Sequence, residues 1–332
     1  MLLNREQSLK DYQILRKIGA GGFGKVYLVK LKHATGTYFA MKMITKADIQ
    51  KHTLIEQITN EVTIQTNLNH CFIVQLELYF QTASYFCILL EYVACGDLYH
   101  LLLERKHFSE DETKFYICEL IVAFEYLHEQ KIIFRDLKPE NVLLDSTGHI
   151  KLADFGFSKK IFRLTNSFCG TPDYIAPEMI VSKPYTFAVD WWGVGVLTYE
   201  LTFGQTPFYS PTIGGVYRNI LEAKVSWVRN DVSQQLKSFI MDLLVADQKR
   251  RLGYKGAVEL KIHEWFSDIK WNIVKSRGLK PPIVPPLQYI DELEQNDNPL
   301  DNTDSDEIEL GEQVNAMPDI VLATTPKKNH SI

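Results

Sequence analysis

Asp136, Lys138 and Asn141 stand two and three residues apart on one short run, Ile132-Ile-Phe-Arg-Asp-Leu-Lys-Pro-Glu-Asn-Val-Leu-Leu-Asp145. Few chemistries need that trio. An aspartate can accept the proton of an attacking hydroxyl, a lysine two positions on can neutralise a moving phosphoryl group, and an asparagine three further can hold a magnesium ion. Downstream, Asp154-Phe155-Gly156 offers a second carboxylate for a metal, and Ala176-Pro177-Glu178 follows. Order and spacing together point to transfer of a phosphoryl group from a nucleotide.

Such a run needs a nucleotide site upstream. Gly19-Ala20-Gly21-Gly22-Phe23-Gly24-Lys25-Val26 reads G-x-G-x-x-G-x-V, with Ile18 before it. Alone, a G-x-G-x-x-G is as readily a dinucleotide-binding turn or chance. A dinucleotide-binding glycine run opens a helix, whereas the stretch from Val26 to Leu31 is apolar and β-branched and reads as a second strand. That favours a hairpin lid over phosphates. Ala40-Met41-Lys42 ends a third strand and sets Lys42 where a cation can pair with α- and β-phosphates. A lysine so held needs a counter-ion, and Glu61 is the candidate. It lies nineteen positions later, on a stretch whose Leu54, Ile58, Val62 and Leu68 recur at helical spacing. A single Glu on such a helix would ordinarily be solvated; with the other motifs in order, a Lys42–Glu61 pair is expected.

These motifs resemble the AGC group of eukaryotic serine/threonine protein kinases, and most of all its cyclic-AMP-dependent kinases, over roughly Tyr12 to Phe266. The form Lys138-Pro139-Glu140 suits serine/threonine rather than tyrosine kinases. The resemblance implies an α+β, bilobal fold, with a small mainly β lobe and a larger mainly α lobe. The ranges are a short extension over 1–11, a small lobe over 12–91, a large lobe over 92–266 and an acidic, partly disordered tail over 267–332.

The same resemblance implies roles for individual residues. ATP lies in the cleft under the glycine-rich run, its adenine between Val26, Ala40 and Leu143 and hydrogen-bonded to the backbone of Glu91 and Val93, with Asp97 nearby. Asn141 and Asp154 hold two Mg2+ ions, Asp136 is the base, and Lys138 stabilises the transferred group. Asp190 braces the backbone of Phe134 and Arg135. Asp97, Glu140, Asp173 and Glu200 match acids that bind arginines upstream of the target residue, and Phe168, Pro172 and Ile175 match an apolar pocket for the residue after it. Arg-Arg-x-Ser/Thr-Φ peptides are the expected substrates. Ser167, eleven residues after Gly156, matches a phosphorylation site with Arg135 and Lys159 as basic partners, so an activating kinase is an expected partner.

Several positions depart from the family pattern. Phe134 replaces the His of His-Arg-Asp, and Gln57 stands where these kinases grip the phosphate with a His. Gln65 occupies a place where relatives put an apolar residue in a stack with Phe134, Phe155 and Leu76; a one-residue shift that turns Ile64 inward is the alternative. Asn166 replaces a Trp that contacts a cyclic-nucleotide-binding regulatory subunit, although Tyr217 keeps its matching aromatic, so such a partner stays open. No Phe-x-x-Phe motif ends the chain. A pseudokinase scaffold would lack Lys42, Asp136 or Asp154, and all three are present.

The elements that must position these residues read as strands near Tyr12–Gly19, Lys25–Leu31, Thr37–Met43, Leu76–Gln81 and Ser84–Glu91, with the Glu61 helix beside them. Beyond Tyr92 the pattern turns helical. Ser109 to Gln130 opens with a capping signal, and Asp190 to Glu200 is apolar nearly all round, which marks a buried helix. With 332 residues, 45% of them apolar, the chain can bury a large core. Five scattered cysteines at 71, 87, 95, 118 and 169 suggest no disulfide framework. No signal peptide and no ~18-residue apolar span are apparent, so a cytoplasmic or also nuclear location is expected. The net charge of −5 is unevenly placed: residues 281–332 hold eleven acids and two lysines, leaving 34 bases against 30 acids before them. The balance excludes a nucleic-acid-binding basic chain, and the Pro-rich start and acidic continuation of the tail read as an extended strap followed by disorder.

Overall fold

The computed structural model describes residues 8–21, 24–33, 36–51, 54–162, 164–229 and 231–284. The acidic tail beyond 284 and the loop residues Gly22 and Phe23 lie outside them. Described residues up to Leu68 and from Val74 to Tyr92 form one compact unit; Asn69–Ile73 and the described residues from Val93 onward form a second.

The first unit is an antiparallel sheet of β1 (Tyr12–Gly21), β2 (Gly24–Leu31), β3 (Tyr38–Thr45), β4 (Leu76–Gln81) and β5 (Tyr85–Glu91), in the order β1-β2-β3-β5-β4. The two-residue side-chain period sorts its core onto two faces. Met41, Met43, Cys87 and Leu89 join Tyr12, Tyr27 and Val29 on one face, while Ile44, Phe86 and Ile88 join Ile49, Leu54, Ile58 and Val62 on the other. These last four come from α1 (Lys46–Lys51), α2 (Ile55–Thr66) and the link between them. β3 continues two residues past the expected Met43, because Ile44 and Thr45, both β-branched, pair with Phe86 and Tyr85. Likewise β1 runs to Gly21, which pairs with Gly24 across the turn.

In the second unit, α3 (Leu98–Arg105) and α4 (Glu110–Glu129) precede two short two-stranded sheets. α4 starts with the expected box: the Glu112 amide donates to Ser109 Oγ at 3.3 Å and the Ser109 amide to Glu112 Oε2 at 2.7 Å. β6 (Ile132–Ile133) pairs with β9 (Lys159–Lys160), and β7 (Val142–Leu144) with β8 (Ile150–Leu152). Then come α5 (Pro177–Ile180), α6 (Ala188–Phe203), α7 (Ile213–Leu221), α8 (Gln234–Leu243), α9 (Val258–Lys261) and α10 (Trp271–Lys275).

α6 is buried almost throughout, Trp191 and Trp192 included. Its hydroxyls avoid stranded polar atoms by bonding the carbonyl one turn back, Thr198 to Val194 and Thr202 to Thr198 at 2.7 and 2.8 Å. The helix stops at Gly204, which adopts φ +76 and so supplies the left-handed cap. Beside it, Arg251 forks onto Glu178 of the Ala-Pro-Glu run at 2.7 and 2.8 Å, both side chains buried. That tie fixes α5 to the turn before α9.

Candidate active site

On β3, Lys42 lies between Met41 and Met43 and therefore faces opposite to them, towards α2. Its register partner is Ile88, part of the α2-facing core. Glu61 sits three residues after Ile58 and one before Val62, so the helical period carries it to the same face. The result is the expected ion pair, Lys42 Nζ to Glu61 Oε1 at 2.7 Å, with side-chain exposures of 14% and 4%. The same period takes Gln65, four residues on, into the buried stripe at 1% exposure, and among the described residues neither amide atom finds a hydrogen-bond partner. Ile64 is buried as well, so both residues of this turn are shut off from solvent.

The glycine-rich run spans the β1–β2 turn, with Gly19 opposite Val26 and Ala20 opposite Lys25. Gly24 is needed for packing: a Cβ there would stand 2.8 Å from the Met43 carbonyl oxygen. Ala40 lies opposite Leu28 in the next pairing, and Ile18 precedes the glycines on β1. Glu91 ends β5, where its carboxylate accepts the Gln75 amide at 2.7 Å.

In the second unit the motif residues converge. Asp136 is buried at 2% exposure. Its Oδ2 accepts Asn141 Nδ2 at 3.1 Å and lies 3.2 Å from Lys138 Nζ, while its Oδ1 accepts Thr171 Oγ1 at 3.0 Å. Asn141 also donates to the Asp136 carbonyl at 2.7 Å, which clamps the loop. The Ala153 amide donates to the Asn141 carbonyl at 2.8 Å, extending the β7–β8 ladder and bringing Asn141 and Asp154 to one end of that hairpin. Asp154 takes φ +60 and accepts the Gly156 amide at 3.2 Å. Asp97 caps α3 through the His100 amide at 2.8 Å and forms an isolated β-bridge with Leu143. Val93 opens the segment whose Cys95 amide bonds the Leu144 carbonyl.

Asp190 organises the loop from below. It accepts the backbone amides of Phe134 and Arg135 at 3.1 and 2.9 Å, as expected, and also His128 Nε2 at 2.8 Å. Arg135 holds φ +74, donates Nε to the Phe157 carbonyl at 2.7 Å, and reaches Ser167 Oγ through Nη1. The other expected partner, Lys159, pairs through its backbone with Ile133, and no contact ties it to Ser167 among the described residues. Gly170 has φ +103, and a Cβ there would meet the Arg135 carbonyl oxygen at 2.8 Å, so only glycine lets the segment pass this close.

The acids expected to read arginines form one group and one outlier. Glu200 accepts the Tyr174 hydroxyl, and burial pushes its carboxyl up to about 7; the Tyr174 bond opposes that rise, while the nearby charges of Glu140 and Asp173 add to it. Asp173 accepts Thr206 Oγ1 at 3.0 Å, and Glu140 is exposed. Asp97 stands apart as a helix cap. Of the expected apolar pocket, Phe168 is 55% exposed and edge-on to Tyr217 at 6.5 Å, Pro172 is half-buried, and Ile175 is buried.

Sequence reasoning had no role for Thr171, Tyr174, Tyr185 or His128. Thr171 was the most accessible of these, standing in the conspicuous Gly-Thr-Pro-Asp run; the others act through tertiary contacts that spacing does not carry.

Residues 12–266 match the protein kinase domain. The chain is 42% identical over 282 residues to the cAMP-dependent protein kinase catalytic subunit PRKX of Homo sapiens, covering 84% of this chain and 78% of that protein. It is 41% identical over 290 residues to the cAMP-dependent protein kinase catalytic subunit of Dictyostelium discoideum, covering 86% of this chain but 44% of that protein. Against the cAMP-dependent protein kinase type 3 of Saccharomyces cerevisiae it is 40% identical over 286 residues, with 85% and 71% covered. With its Lys42–Glu61 pair and its Asp136 loop in place, this chain belongs to the protein kinase family, in the AGC-type branch of the cyclic-AMP-dependent kinases.

Proposed function

We propose that this chain transfers the γ-phosphoryl group of ATP to serine or threonine in proteins that carry arginines upstream of the target, and that phosphorylation of Ser167 raises its activity. The observation that carries the chemistry is the donor set around Asp136. A carboxylate offers about four lone-pair positions. Asn141 and Lys138 address Oδ2 and Thr171 addresses Oδ1, which leaves Oδ1 able to accept a substrate hydroxyl. Asp136 is thereby oriented as the base, and Lys138 is poised to stabilise charge on the transferred group. In the first unit, Lys42 held by Glu61 is suited to the α- and β-phosphates.

Asn141 and Asp154 present hard oxygen donors at one hairpin end, which fits Mg2+, an ion that takes one or two protein oxygens and fills its shell with water and phosphate. When bound, the ion would neutralise charge on the phosphates. Glu200, Asp173 and Glu140 support arginine recognition, because three neighbouring acids with burial at their centre favour a cationic guest.

Asp136→Asn tests the base: ATP binding should persist while peptide phosphorylation falls by about 10²–10⁴-fold. Near-normal turnover in the variant would refute the assignment. An arrayed peptide library tests the substrate class, and indifference to arginine upstream of the target would reject it.

A further inference from the structure

Tyr185 is fully buried and immediately precedes Thr186, whose Oγ1 accepts the Ala188 amide, the first of α6, at 3.3 Å. Its backbone forms an isolated bridge with Thr165, giving and receiving hydrogen bonds at 2.9 and 3.2 Å. Its hydroxyl donates to the Ser167 carbonyl at 2.7 Å and accepts Arg135 Nη1 at 3.3 Å. One side chain thus ties together the segment around Ser167 and the arginine that immediately precedes Asp136, from a position three residues before α6 begins. None of these contacts uses a phosphate.

We propose that Tyr185 is a positioning residue which orders the Thr165–Ser167 segment against Arg135 before any modification, and so sets the basal activity of the enzyme. Arg135 keeps its Asp190 and Phe157 contacts in any case, and its Nη1 also meets Ser167 Oγ; what the tyrosine hydroxyl adds is a second anchor for the guanidinium tip, the one left when Ser167 Oγ is removed, and an anchor for the Ser167 carbonyl. A phosphate on Ser167 would bring strong acceptors to the same guanidinium. The hydroxyl should therefore matter most when the phosphate is absent. This rests on the kinase reading above, but only its second half depends on Ser167 being modified.

The experiment compares Tyr185→Phe, which removes only the hydroxyl, in two backgrounds: full-length Ser167→Ala protein and full-length protein phosphorylated on Ser167. In the Ser167→Ala background, kcat/KM for a peptide should fall roughly three- to tenfold, the worth of one hydrogen bond, with KM for ATP and the thermal midpoint unchanged. In the phosphorylated background the loss should shrink to less than about twofold. Unchanged kcat/KM in the Ser167→Ala pair would overturn the proposal. So would equal losses in both backgrounds accompanied by a lower thermal midpoint, which would make the hydroxyl a mere packing group. If Ser167 cannot be phosphorylated, the modification reading fails separately, and the Ser167→Ala pair still decides the role of Tyr185.

Discussion

Replacing Gln65 with leucine should make this protein more stable. Both amide atoms of Gln65 are shut off from water and lack a partner among the described residues, on a helix turn whose neighbours Val62 and Ile64 are buried. Leaving a buried polar group unpaired costs about 1–3 kcal/mol. With the oxygen and the nitrogen each at the low end, the amide costs about 2 kcal/mol, and leucine of similar size removes that cost without opening a cavity. Helix propensity is nearly the same for the two residues, so the backbone contributes little to the difference. At about 2–4 °C per kcal/mol for a domain of 150–250 residues, Gln65→Leu should raise the thermal midpoint by about 4–8 °C. Gln65→Ala serves as the control: it also deletes the amide, but it leaves a cavity, so it should gain little or lose stability. If α2 is freed to hold Glu61 against Lys42, phosphorylation of peptide by unmodified protein should rise too, by about fivefold for each 1 kcal/mol in the helix equilibrium. Scanning calorimetry of the three proteins decides the matter. A leucine variant no more stable than wild type would mean the amide is satisfied by water, and the reasoning from its isolation would fail.

Glu200 should make substrate choice depend on pH. Its carboxyl is raised, so it gains a proton as pH falls through about 7; KM for arginine-containing peptides should rise by up to about tenfold between pH 8 and pH 6, while arginine-free peptides change little and Glu200→Gln removes the dependence. The same raised value means the folded state binds the proton more tightly than the unfolded one. The stability linked to Glu200 is therefore complete below the ordinary glutamate range and is lost as pH climbs towards 7, which pH-resolved urea titration of wild type against Glu200→Gln would register. Arg251→Met strands the buried Glu178 carboxylate and should cost about 3–5 kcal/mol in denaturant unfolding; a loss below 1 kcal/mol would show that the pair contributes little. Gly170→Ala forces a Cβ onto the Arg135 carbonyl at a φ that disfavours it, a strain of about 1–3 kcal/mol, and should depress peptide phosphorylation; wild-type activity in that variant would show that the close approach is dispensable.

What could be read from the sequence was whatever is periodic or local. β4 has the bounds its alternation gives, and α4 begins and ends where Ser109 and Gln130 cap it. Lys42 and Glu61 meet because two periods, two in a strand and 3.6 in a helix, each fix a face. Gln65 was visible as an anomaly for the same reason: it breaks an apolar stripe. By contrast, Thr171 reaches Asp136 across 35 residues, Tyr174 reaches Glu200 across 26, and Tyr185 reaches Ser167 across 18. No repeat in the sequence encodes those separations. They depend on how the segment after Gly156 folds back over the loop, which a close approach at Gly170 permits and composition does not announce. The choice of Arg135 over Lys159 as the partner of Ser167 belongs to the same class.

Asp190 gives the Asp136 loop a property that reaches beyond its shape. The left-handed backbone at Arg135 is unfavourable for any residue with a side chain, yet it is held by two amide bonds to a carboxylate rooted in α6, the most deeply packed helix described here. Local opening at the loop would have to pull those amides off a helix that is buried almost throughout, and such helices open with the unit they anchor. The Phe134 and Arg135 amides should accordingly exchange their hydrogens with solvent on the timescale of global unfolding, among the slowest in the unit, even though they adjoin the reacting residue. The loop that carries the chemistry would then be as durable as the core beneath it.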